Sequence, residues 1–94
     1  MKVERFTTQA CCGQTAIIFK IDRPLSQKHI DFLSKNEFIE AKHFTLAGIL
    51  YMTNFDFILN GPLGSDRLTV KCKHKESECV EKLNDLEGLL RQIG

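Results

Sequence analysis

The residues whose types could do chemistry are four cysteines and a neighbouring histidine: Cys11-Cys12-Gly13 near the N-terminus, then Cys72, His74 and Cys79 far downstream. Zinc takes four thiolate or imidazole ligands in a tetrahedron, so the inventory is sufficient for a metal site. The spacing is unlike the usual one. Zinc ligands come in pairs two to four residues apart, whereas adjacent cysteines in an extended segment point to opposite sides. Cys11 and Cys12 lie beside Gly13 in an expected turn and continue no apolar stripe. They are therefore the expected exposed, reactive thiols and the candidate metal residues, with zinc the ion they suit; no other cofactor is expected. Cys72 and Cys79 each continue an apolar series, which reads as core packing by a small hydrophobe. A thiol in the first turn of a helix can be acidified by the helix dipole, but Glu76, Glu78 and Glu81 oppose a thiolate at Cys79. Cys79 is expected to be inert.

Three other groups of residues have plainer readings beside the chemical ones. Asn60 to Arg67 has glycines and an arginine that could cradle an anion, yet it lacks the Gly-Lys-Ser/Thr ending of a phosphate loop and opens no helix, so a turn is expected. Lys71-Cys72-Lys73-His74-Lys75 is the densest basic stretch. With Phe44, Tyr51 and Phe55 on strands it suggests an RNA-binding sheet, but the glutamates that follow cancel much of the charge, and a solvated strand end is favoured. His29, His43 and His74, and the acid pairs Asp22/Asp31 and Asp56/Asp66, form no nucleophile-base-acid set. The chain is expected to be non-catalytic.

The elements that must position these residues follow from periodicity. Thr15 to Asp22 alternates, with Ile17, Phe19 and Ile21 on one face and Ala16, Ile18, Lys20 and Asp22 on the other. Val3 to Gln9 is a weaker alternating stretch, an additional strand with Ala10 to Gln14 as the hairpin connection. Ser26 suits the N-cap of a helix reaching about Lys35, with Leu25 and Ile30 as a hydrophobic staple, and Asn36 suits the left-handed residue after it. Ala41 to Thr53 reads as a strand apolar on both faces around Leu46 to Met52, with Gly48 at a bulge or close backbone approach. Phe55, Phe57 and Leu59, and then Leu68, Val70 and Cys72, alternate to complete an antiparallel meander. Cys79, Leu83, Leu86, Leu90 and Ile93 recur at helical spacing, widened by Val80 and Leu89, over about Glu76 to Ile93.

The order is β-α-β-β-β-α, with a possible strand before it. The expected fold class is α+β: a two-layer sandwich, an antiparallel or mixed sheet with two helices on one face, ferredoxin-like in general architecture. The 94 residues allow one domain, 1–94. Thirteen basic and twelve acidic residues leave a formal charge of +1, which supplies no field to draw nucleic acid or an anionic membrane. No apolar run spans a bilayer, and the N-terminus has no signal-peptide core, so a cytoplasmic location is expected. There, a disulfide framework is disfavoured. Two helices cover one face of the sheet, and Ile18, Ile58 and one alternating set from Leu46 to Met52 remain on the other. The expected function is a small self-associating module that binds a protein partner or small ligand. The alternatives are a thiol-based metal-binding or redox protein using Cys11 and Cys12 and, behind it, nucleic-acid binding through Lys71 to Lys75.

Overall fold

The chain folds in the order β1 (Val3–Gln9), β2 (Thr15–Ile21), α1 (Gln27–Ser34), β3 (Ile39–Glu40), α2 (Lys42–Leu46), β4 (Ile49–Thr53), β5 (Phe57–Pro62), β6 (Arg67–Cys72), α3 (Glu76–Arg91). This computed structural model describes residues 1–9 and 15–93. The strands form one sheet, β1-β2-β6-β5-β4-β3, in which every neighbouring pair is antiparallel. The ferredoxin-like β-α-β-β-β-α expectation is therefore corrected to a six-stranded antiparallel sheet with three helices. A ferredoxin-like sheet interleaves its strands through parallel βαβ crossovers. Here β2 and β6 lie side by side, and the segment after α1 enters at the far edge and returns strand by strand.

Register decides which side chains meet. Ile17, Val70, Leu59 and Met52 form one row across the sheet, with Phe19 opposite Leu68 and Val3 opposite Ile21 on the same face. That face packs in a single cluster with Ile30 and Leu33 of α1 and Leu83, Leu86 and Leu90 of α3. Side chains as fully buried as Phe19 and Leu59 contribute about 1.5–3 kcal/mol each.

Ser26 caps α1 through a reciprocal box with His29. Leu25 and Ile30 are both buried, as a staple requires. At the other end the left-handed residue is Glu37, at φ 70°, one position beyond Asn36; the Phe38 N–H then reaches back to the Leu33 carbonyl at 3.1 Å.

The expected continuous strand from Ala41 to Thr53 is broken by α2. Thr45 Oγ1 donates to Glu40 Oε2 at 2.7 Å, and Phe44 stacks on Tyr51 with ring centroids 4.7 Å apart. Gly48, at φ +83° and with open space where a Cβ would sit, is there for its backbone conformation and not for a close approach. Leu46, expected within the strand, lies on α2 and is 91% exposed. Phe55 lies outside the strands, in the β4–β5 turn, where Asn54 Oδ1 accepts the N–H groups of Asp56 and Phe57. On α3, Val80 does not widen the buried stripe and is 54% exposed.

Candidate functional site

The sharpest concentration of chemistry lies where β6 runs into α3. Cys72 ends the strand and Cys79 sits in the first turn of the helix, both at positions that continue apolar stripes toward the core. Because only residues 73–75 separate the two elements, those stripes converge. The sulfurs are bonded to each other, with Cα atoms 6.2 Å apart, an ordinary disulfide separation. The expectation of two independent core thiols is thus corrected. Cys79 is buried and Cys72 partly exposed. The signal in the sequence was two cysteines on stripes joined by a short connection.

Polar groups surround this bond. His74 Nε2 lies 2.6 Å from Asp56 Oδ1, and its Nδ1 lies 3.8 Å from Glu78 Oε2. Lys82 Nζ approaches the same Asp56 oxygen at 3.2 Å. The hydrogen bond from His74 holds the Asp56 carboxyl below the usual carboxylate range; burial opposes it, and Lys82 reinforces it. The Asp56 main chain is fixed as well, its carbonyl accepting the Lys73 N–H at 2.8 Å. The Cys79 sulfur is 3.3 Å from the His74 carbonyl oxygen, an acceptor that a reduced thiol could use. Beside Asp56 and Lys82 a small hollow of about 190 Å³ is lined by Phe38, Phe57, Leu86 and Leu89 among others, below the usual size of a small-molecule site.

Cys11 and Cys12, the candidate metal residues, lie outside the described residues. Among the described residues no three His, Cys, Asp or Glu side chains are arranged to hold a metal ion. The basic stretch is partly committed within the chain: Lys73 Nζ donates to the Asn54 carbonyl at 2.6 Å, and His74 is taken by Asp56. Phe55 does meet this stretch, its ring centroid 5.7 Å from that of His74, whereas Phe44 and Tyr51 stack elsewhere, on α2 and β4.

In the loop after β5 the N–H groups of residues 63–65 are taken within the chain and do not converge on an anion. Leu63 donates to the Gly48 carbonyl, Gly64 to Leu25, and Ser65 to Pro62. Gly61 lies in β5, where a Cβ would sit 2.6 Å from the Arg67 carbonyl oxygen; close strand packing is why glycine stands there. His43 packs on Phe44. His29 is buried, its Nδ1 accepting the Ser26 N–H at 3.1 Å.

Opposite the helix-covered face, the sheet presents Phe6, Ile18, Thr69, Asn60 and Tyr51 in one register row, with Ile58 and Ile49 in the rows beside it. Phe6 is 48% exposed, and Ile18, Ile49, Tyr51 and Ile58 are half-buried. β1 extends the sheet edge and does not fold over this face. No helix among the described residues is long and apolar enough to cross a membrane. No family model, curated protein or solved structure matches the chain.

Proposed function

We propose that the chain is a small, non-catalytic interaction module that self-associates through the bare face of its sheet. The observation that supports this reading is that face itself. An antiparallel sheet solvated on one side ordinarily alternates apolar-in with polar-out, whereas Phe6, Ile18, Ile49 and Ile58 stand on the outer face, beside a Tyr51 that Phe44 of α2 covers in part. β6 sets Arg67, Thr69 and Lys71 between the Phe6–Ile18 pair and the Ile49 and Ile58 side chains, so the face carries two apolar patches; outward apolar patches mark contact sites, and packing two such faces across a two-fold axis buries both. Ile58 sits mid-sheet, between Thr53 and Lys71 in register. Replacing it by lysine places a charge in the contact without touching the core. Sedimentation of Ile58→Lys should show a smaller assembly than the unmodified protein, with an unchanged circular dichroism spectrum. An assembly of unchanged size would remove the face from the interface.

The Cys72–Cys79 bond favours a second reading, thiol redox chemistry, moved from Cys11 and Cys12 to this pair. Two equivalents of a small thiol would reduce the bond to two cysteines and release one small-molecule disulfide, with partly exposed Cys72 the sulfur open to attack. The cytoplasm remains the compartment we propose, and in it such a bond is transient. Equilibration in glutathione buffers followed by thiol counting tests this: a bond that stays closed at cytosolic poise is structural, and the redox reading fails.

A further inference from the structure

We infer that a second copy of this chain pairs along the free edge of β1, strand against antiparallel strand, across a two-fold axis at Phe6. This rests on the self-association reading and adds a second seam to it.

Main-chain direction along β1 is fixed by its neighbours. The Lys2 carbonyl accepts the Asp22 N–H at 3.2 Å, so Lys2 faces β2. Strand residues alternate, so Glu4 and Phe6 also face β2, and Val3, Arg5 and Thr7 turn their N–H and C=O groups to the open edge. Arg91 closes one of these positions, its guanidinium donating to the Val3 carbonyl at 3.0 Å. Arg5 and Thr7 are the next outward pair. The edge is seven residues long, in unbroken register with β2, and contains no proline. Proteins usually blunt such an edge when it must stay single. The opposite edge, β3, has two residues, too few for a head-to-tail chain of sheets, so the contact that remains is closed and self-complementary.

Register selects the axis. Centred on Phe6, Arg5 of each copy faces Thr7 of the other, and both outward N–H and C=O sets are satisfied reciprocally. Phe6 then meets Phe6 as a non-hydrogen-bonded pair, the closer kind, in which aromatic side chains contact directly. A centre at Arg5 would oppose two guanidinium groups, and a centre at Thr7 would separate the two aromatics. Phe6 lies on the bare face opposite Ile18, so the seam also brings the Phe6 and Ile18 side chains of both copies together on that face. The edge axis is perpendicular to the sheet and the face-contact axis lies within it; two perpendicular axes close a dihedral tetramer.

Thr7→Pro removes one outward N–H and leaves the β1–β2 ladder intact, the one kind of strand position where proline is tolerated. Its sedimenting mass should be half that of the unmodified protein. Ile58→Lys should independently halve the mass by opening the face contact. If Thr7→Pro keeps the full mass while Ile58→Lys halves it, the edge seam is wrong and the face reading stands. If Thr7→Pro alone halves it, the edge is the seam and the face contact falls. Should Thr7→Pro fail to fold, amide exchange on the unmodified protein decides: protection at Arg5 and Thr7 that falls on dilution supports the seam, and exchange independent of concentration overturns it.

Discussion

His29 shows how a single side chain can serve a helix start and carry a cost with it. Its Nδ1 accepts the Ser26 N–H, so the ring proton sits on Nε2, which is buried and has no hydrogen-bond partner among the described residues. Burial, with Lys28 and Arg23 adding to it, holds the imidazole below its ordinary 6.5. A base whose folded value is depressed contributes its full stability above the unfolded value, and that contribution is lost as pH falls from there toward the folded value. The urea midpoint should therefore drop as pH falls below the ordinary 6.5. His29→Gln keeps an acceptor at the same helix position, where glutamine is a customary partner in a capping box, and removes the titration. The variant should show a flatter pH profile over that interval; an unchanged slope would assign the acid loss to other groups. Asp56 acts in the opposite part of the scale. Its lowered carboxyl supports the fold above the usual carboxylate range and loses that support as acid protonates it.

Among the elements, α3 and the β5–β6 hairpin make opposite demands on glycine. Gly88 is exposed on α3, with helical backbone and open space around a built Cβ. Gly88→Ala should stabilise the protein by about 1 kcal/mol, the helix-propensity difference. Gly61→Ala would push a methyl into the Arg67 carbonyl and the Leu25 side chain, at 2.6 and 2.8 Å. That substitution should cost about 1–3 kcal/mol, the usual range for overpacking. Denaturant midpoints of the two variants should move in opposite directions; a shared direction would contradict the described packing at one of them. The β6–α3 junction is tied by Cys72–Cys79, a short loop whose closure restricts the unfolded chain. Reduction should lower unfolding free energy by about 2–3 kcal/mol. An unchanged denaturant midpoint after complete reduction would mean that hydrophobic packing alone holds the junction.

Across the whole molecule, what could be read in advance was what periodicity reports. The buried stripe of α3, the staple around Ser26, the meander of β4 to β6 and the division of Ile17, Phe19 and Ile21 from Ile18 all appear in the fold. Sheet order was not legible, because alternation says which face a residue takes and nothing about which strand lies beside it. The run from Ala41 to Thr53 misled for a related reason: Phe44 and Leu46 fit a strand, while the Phe44–Tyr51 stack and Gly48 that turn it into a short helix are tertiary and conformational facts. The disulfide was hidden by the expected compartment, although the spacing of Cys72 and Cys79 across a short connection allowed it. The face left uncovered by α1 and α3, and the open edge of β1, are what the proposal of a chain completed by copies of itself rests on. Sedimentation equilibrium of the unmodified protein at tens of micromolar tests this most directly. The account predicts a mass at least twice the 10.7 kDa of one chain, and a single species at the monomer mass would contradict it.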